Sequence, residues 1–204
     1  MTTFDSLIRY FERFPGIGSR QAKRFVFHIL TMNQEDIAEL SELIRTLKTY
    51  TISCPSCARF HSLQSTTGEC SVCISPSRDR SKLTIVERDT DIDAIERSGI
   101  YDGLYFVLGG TVPLLDSQDI KKLRGGMLKH TVEKRGPEGL KEIILAFSIN
   151  PDGENTGRYV ETLLRPLIDT HTIAVTHLGR GLSTGSELEY ADSETIKNAL
   201  KNRY

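Results

Sequence analysis

Apolar residues recur at helical spacing through residues 1–52 and gather into short runs beyond residue 82. Phe4, Leu7, Ile8 and Phe11 share one helix face, and Ala22, Phe25, Val26 and Ile29 repeat the pattern. A third stripe, Ile37, Leu40, Leu43, Ile44 and Leu47, follows Asn33, a residue suited to capping a helix start. Residues 53–82 show neither periodicity and hold too few apolar side chains to bury a core of their own. Beyond them, strands are expected at Leu83–Glu87, Leu104–Leu108, Glu142–Ser148 and Thr172–His177. Helices are expected from about Asp91 to Gly99, over Asn155–Leu167, and from Ser193 to the end through Ile196, Ala199 and Leu200. Residues 116–140, a mixture of charge and glycine, predict only one helix near 117–124.

Alternating strands and helices imply a parallel sheet covered by helices. The expected fold class is therefore α/β, preceded by a small helical module at 1–52 and a cysteine segment at 53–82. The chain has 204 residues, 38% of them hydrophobic and 26% charged, which suits a globular protein with one sizeable core. No apolar run approaches the roughly 18 residues that span a bilayer. The opening MTTFDSLIRYFERF interleaves apolar and charged residues, unlike a secretory signal, so no membrane association and a cytoplasmic location are expected. Net charge is −1, yet it is unevenly spread. Residues 1–34 carry five Lys/Arg against two acids, and residues 83–204 carry fifteen against nineteen. A polyanionic partner should therefore meet the front of the chain.

The front also carries a motif. Phe14-Pro15-Gly16-Ile17-Gly18 lies between two amphipathic helices. Pro15 stops the first. Gly16 and Gly18 permit a tight hairpin with uncovered backbone amides, and Ser19 is a candidate N-cap for the second helix. Amides at a helix start attract phosphate. Arg20, Lys23 and Arg24 follow on one face of that helix, where their cations can meet the same nucleic-acid backbone without reading sequence. The plainer alternative is a helical turn with a solvated basic face. His28 is expected to pack or to face solvent.

All four cysteines fall in two knuckles, Cys54-x2-Cys57 and Cys70-x2-Cys73. This is the spacing of a tetrahedral thiolate site, with one structural zinc ion as the leading occupant. An iron–sulfur cluster or disulfides are the alternatives. His61 lies between the pairs as a bystander. Four protein ligands leave no open position for a substrate.

Glu87 ends the expected strand Leu83–Glu87, where ligands bind open α/β sheets, and Asp89, Asp91 and Asp93 follow it. Asp152 and Glu154 follow the strand that ends near Ile149. Two acidic groups at neighbouring strand ends can share a magnesium ion. They can equally be capping and first-turn acids, a role that suits Asp91. There is no Gly-x4-Gly-Lys-Ser/Thr phosphate loop, and Gly181-x3-Gly185 lacks the lysine.

Taken in order, FPGIGSRQAKR, the two cysteine knuckles, SRDRSKLTIVERDTDIDAIE, YFVLGG and GLSTGSELEYAD resemble the RecR family of recombination mediators over essentially the whole chain. The resemblance implies a helix-hairpin-helix module (1–52), a four-cysteine zinc finger (53–82), a Toprim domain (83–178) and a C-terminal Walker B-like segment with a helix (179–204). It implies a non-enzymatic role in DNA repair, with partners RecO and RecF, in loading RecA onto single-stranded DNA coated by single-strand-binding protein. It also implies rings of four subunits. By position, Arg20 and Arg24 match the family's DNA-holding residues, and Cys54, Cys57, Cys70 and Cys73 its zinc ligands. Glu87 and Asp91 match the Toprim acids. Toprim enzymes add an Asp-x-Asp pair, but here the stretch reads Asn150-Pro151-Asp152, so one acid is missing. A magnesium-dependent Toprim nuclease or primase using Glu87 and Asp152 is the rival reading. The segments Thr111–Asp116 and Asn150–Thr156 depart from the family pattern, near the surface implicated in partner contacts.

Overall fold

The computed structural model describes residues 2–62, 66–114, 118–182, 185 and 187–202. The chain forms two compact units, residues 1–51 and 52–204.

The first unit is three helices, α1 (Thr3–Glu12), α2 (Ser19–Thr31) and α3 (Gln34–Tyr50). Thr2 and Asp5 cap α1 reciprocally, each side chain accepting from the other's backbone N–H at 3.2 Å. Asn33 caps α3 as expected, accepting from the Asp36 N–H at 2.7 Å. Ile8, Ala22 and Val26 are buried between α1 and α2, edged by Phe4, Leu7, Phe11 and Ile17. Edge-on ring contacts join Phe4 to Phe27 and Phe11 to Phe25, with centroids 5.3 and 5.5 Å apart. The stripe on α3 is helical but uncovered: Leu43 is 60%, Ile44 66% and Leu47 62% exposed.

The second unit opens with the cysteine segment, in which β1 (Thr51–Ser53) pairs with β2 (Phe60–Ser62) and is followed by the single turn α4 (Ser71–Ile74). Then come β3 (Asp79–Val86), α5 (Asp89–Ser98), β4 (Gly103–Val107), α6 (Gly125–Arg135), β5 (Glu142–Ala146), α7 (Pro151–His171), β6 (Ala174–His177) and α8 (Ser193–Lys201). Four strands form one parallel sheet in the order β4-β3-β5-β6. Ile85 of central β3 pairs with Phe106 on one side and Leu145 on the other. Strands covered on both faces need unbroken apolar runs, and all of β4 is buried for this reason. Ile92 of α5, Leu128 and Val132 of α6, and Val160 and Leu164 of α7 complete the core. None of the described helices is long and apolar enough to cross a membrane.

Several expected boundaries move. Strand β3 begins at Asp79, inside the stretch expected to be cysteine segment alone, and β5 stops at Ala146 rather than Ser148. Helix α7 starts at Pro151, not Asn155, because Asn150-Pro151-Asp152-Gly153 is a helix start that reads as a turn. Asn150 accepts from the Gly153 N–H at 2.8 Å, and Pro151 takes the first helical position, where its missing N–H costs nothing. A Cβ at Gly153 would collide with the Ser148 carbonyl oxygen. The helix expected near 117–124 is a short 3-10 segment, Gln118–Lys122; Leu115, Asp116 and Ser117 lie outside the described residues. Helix α6 has no counterpart among the expected elements. Its buried positions include Thr131 and Arg135, which hide the apolar pattern. The terminal helix is present as α8, capped by Asp192, with no residue buried. Ser183, Thr184 and Ser186 of the Walker B-like segment lie outside the described residues, as do Arg203 and Tyr204.

Candidate nucleic-acid interface and cysteine centre

The hairpin begins with Gly16 at φ +76°, a left-handed backbone that favours glycine. The N-cap of α2 is Gly18, not Ser19, which is the first helical residue. No side chain caps this helix start, and a Cβ at Gly18 would meet nothing within 4 Å. The first amides of α2 therefore stay open to solvent or to a ligand. Arg20, Lys23 and Arg24 are all exposed, spaced three and four residues apart on one face. Among the described residues no carboxylate pairs with any of them. Three free cations beside an uncapped helix start are a concentrated positive surface. His28 is exposed and its backbone carbonyl accepts from Thr31.

Cys54, Cys57, Cys70 and Cys73 are all buried, and their sulfur atoms lie within 4.8 Å of one another. Cys57 Sγ and Cys70 Sγ are 3.6 Å apart. A disulfide would need about 2.05 Å. Tetrahedral coordination at about 2.3 Å per sulfur puts neighbouring sulfurs about 3.8 Å apart. The spacing thus suits a shared ion, and none of the four cysteines is in a disulfide. The Cys54 thiol is driven far down by hydrogen bonds with Cys57, Cys70 and Cys73, while Cys57 is driven far up by its hydrogen bonds with Cys54, Cys70 and Cys73 and by burial. Four thiols this close cannot all ionise unless a cation sits among them. His61 stays a bystander, with Nδ1 3.0 Å from the Ser62 carbonyl and Nε2 3.0 Å from that of Gly68.

The cysteine segment is fastened to the parallel sheet by residues that carry no signal in the sequence. Arg124 donates to the carbonyls of Ala58 at 2.8 Å and Val107 at 3.2 Å, with its guanidinium over the Phe60 ring. The Val107 N–H donates to Cys57 O at 2.8 Å. Two acids near the first strand end join in. Asp89 accepts from the Phe60 N–H at 2.7 Å, and Asp93 pairs with Arg59 at 2.7 Å.

The remaining acids are engaged as well. Glu87 is 8% exposed and pairs with its neighbour Arg88 at 2.6 Å. Asp91 is third in α5 and accepts from the Arg88 N–H at 2.8 Å, which completes a cap from inside the helix. Asp152 accepts from the Leu114 N–H at 3.0 Å, and Glu154 pairs with Arg180 at 3.1 Å. Among the described residues, the four cysteines form the only group of three or more His, Cys, Asp or Glu side chains that could share a metal ion. The structure does not bring Glu87, Asp91 and Asp152 together as such a group.

Comparison with known proteins bears on the whole chain. Residues 4–48 match the family model described as RecR, helix-hairpin-helix, residues 81–178 the Toprim domain, and residues 181–204 the model described as RecR, C-terminal. The chain is 35% identical over 197 residues to recombination protein RecR of Lactobacillus acidophilus, covering 97% of this chain and 94% of that protein. It is 38% identical over 200 residues to recombination protein RecR of Rubrobacter xylanophilus, covering 98% and 94%. It is 34% identical over 201 residues to the protein of that name in Chlorobaculum tepidum, covering 98% and 95%. A hairpin, a cysteine centre and a parallel sheet in this order, matched end to end by these relatives, place the chain in the RecR family.

Proposed function

We propose that the protein is a DNA-binding recombination mediator that acts in recombinational repair without catalysing a reaction, working with RecO and RecF to load RecA onto single-stranded DNA. The observation that carries the reading is the hairpin surface: Arg20, Lys23 and Arg24, exposed and without a carboxylate partner among the described residues, beside the uncapped start of α2. Such a surface holds phosphates in any sequence context, which suits a protein that must act wherever a strand is damaged. Gly16 and Gly18 keep the approach open.

One zinc ion suits the four cysteines, since four buried thiolates at tetrahedral spacing favour it over harder cations. When bound, zinc ties the two knuckles together, and four protein ligands leave no site for chemistry on a substrate. Glu87, Asp91 and Asp152 act here as structural or partner-facing acids, each already held by an arginine or a backbone amide. The protein works in the cytoplasm as a homo-oligomer, a ring of four, because one hairpin makes few phosphate contacts and several linked copies hold DNA far longer. The uncovered stripe on α3 and the unburied α8 offer surfaces for that assembly.

Replacing Arg20 and Arg24 with alanine should weaken binding to unrelated duplexes alike and reduce the slope of log affinity against log salt by about 2. The fold should be unchanged, because both side chains are exposed. Unchanged affinity and slope at low salt would remove the hairpin as the DNA site. Metal-dependent DNA cleavage by the purified protein, lost on Glu87→Gln, would establish the Toprim enzyme in its place.

A further inference from the structure

A cavity of about 390 Å³ lies between the cysteine segment and α6. Its wall includes Ser56, Thr67, Arg80, Thr131, Lys134 and Arg135. Arg135 is 9% exposed, and its Nη1 is the one buried side-chain nitrogen or oxygen without a hydrogen-bond partner among the described residues. Buried polar atoms are almost always satisfied, and a guanidinium stays charged at any ordinary pH. A charge that is nine-tenths buried with a donor unused calls for an anion.

The surroundings supply the rest of a receptor. Arg80 and Lys134 bring two more cations, and no acid pairs with Arg80, Lys134 or Arg135 among the described residues. Two acids share the wall. Glu69 already accepts from the Ser56 hydroxyl, and Glu138 is exposed. No aromatic side chain among the described residues lines the cavity, apart from the imidazole of His130, so a base would find little to stack on. Recognition must run through charge and hydrogen bonds.

We propose that this cavity binds a phosphate group, with Arg135 as the buried anchor and Arg80 and Lys134 as the outer cations. Three cations match a group that offers several oxygens and up to two charges better than a carboxylate with two oxygens and one. The volume exceeds that of the bare anion, so the phosphate can be free or carried on a DNA strand. The site uses none of the hairpin's residues and does not depend on them.

The test uses the full-length, metal-loaded protein and inorganic phosphate, titrated calorimetrically at constant ionic strength against chloride. Saturable binding of one phosphate per chain is expected. Lys134→Ala should weaken it about tenfold, a loss typical of one strong ionic contact. Arg135→Met, which keeps the buried stem, should abolish it, and Arg20→Ala with Arg24→Ala should leave it intact. Should Arg135→Met fail to fold, the double variant Arg80→Ala, Lys134→Ala carries the test, since both residues are exposed. Two arms separate the sources. If DNA supplies the phosphate, inorganic phosphate displaces a labelled duplex, and the double variant lowers the salt slope by about 2. If the phosphate is free, the double variant loses phosphate and keeps DNA. The absence of saturable phosphate binding overturns the proposal, as does binding that survives both sets of substitutions. So does an acidic peptide that binds while phosphate does not.

Discussion

The two units of this chain spend their apolar residues in opposite ways. In residues 52–204 the sheet and its helices bury Leu83, Ile85, Phe106, Ile143 and Leu164 essentially completely. Among the described residues of 1–51 only Ile8, Ala22 and Val26 are buried, while Leu30, Leu43, Ile44, Leu47 and Tyr50 are each at least 60% exposed. Both segments carry regular apolar patterns, so pattern alone does not distinguish them. What separates them is whether a second layer covers the face. The sheet is covered by its own helices, whereas the third helix of the N-terminal unit presents a face that a self-sufficient module would hide. The first unit leaves the apolar face of its third helix uncovered, while the sheet of the second is covered by its own helices.

The comparison can be broken or sharpened, beginning with the largest effect. Structural zinc in small domains is worth on the order of 10 kcal/mol of folding free energy. Chelation, or Cys70→Ser, should therefore strip protection from residues 54–73 in hydrogen exchange while α1 and α2 keep theirs. Full order of that segment with no bound metal would contradict the cysteine centre. Next, Leu164→Ala removes a side chain with no exposure and should cost about 2–5 kcal/mol in denaturant unfolding.

A smaller effect is expected where the sheet unit holds a partly buried ion pair. Arg78 donates to both carboxylate oxygens of Glu96, and the Tyr105 hydroxyl donates to the same group at 2.6 Å. The Arg78 guanidinium, outweighing partial burial, holds the Glu96 carboxyl below its usual range. A carboxylate depressed on folding contributes stability above its unfolded value and loses it as pH falls through the folded one. Glu96→Gln should therefore cost about 1 kcal/mol at neutral pH and less in acid, so the two stability curves converge as pH drops below the ordinary carboxylate value. A constant gap across that range would refute the pairing.

The smallest effect on stability belongs to the exposed stripe. Leu43→Ala should change the stability of a single chain by about 0.5 kcal/mol or less. Ile44→Glu should nonetheless lower the molar mass seen by light scattering if α3 takes part in assembly. Unchanged association in that variant would show that the stripe is not where copies meet.

Most of the architecture was legible from the residues. Val86 and its neighbours in β3, and the Glu142–Ala146 run, could hardly be anything but covered strands. The cysteine spacing pointed to its centre directly. The hairpin between two helices was legible, although the cap fell one residue earlier than expected, at Gly18, because an uncapped start leaves no polar signature. Helix α6 escaped because it buries Thr131 and Arg135, residues that read as surface. The roles of Asp89 and Asp93 escaped for a different reason. Their partners, the Phe60 N–H and Arg59, are distant in sequence, and nothing local marks the pairing. The unpartnered Arg135 was equally silent, since an unsatisfied donor exists only once its surroundings are built.

The pairing of β3 with β5 also bears on time. Lys82 must find Glu142 before the central strand is held on both sides, whereas α1 and α2 meet across one tight turn. Contacts close in sequence form fast and distant ones slowly. During synthesis the hairpin should thus finish folding while the sheet still waits for its third strand, with the α3 stripe already outside the ribosome. Should copies associate through that stripe, neighbouring nascent chains on one messenger would do so before either sheet is complete. Pulse-labelled exchange on stalled chains would reveal the order: protection in α1 and α2 should precede protection in β3.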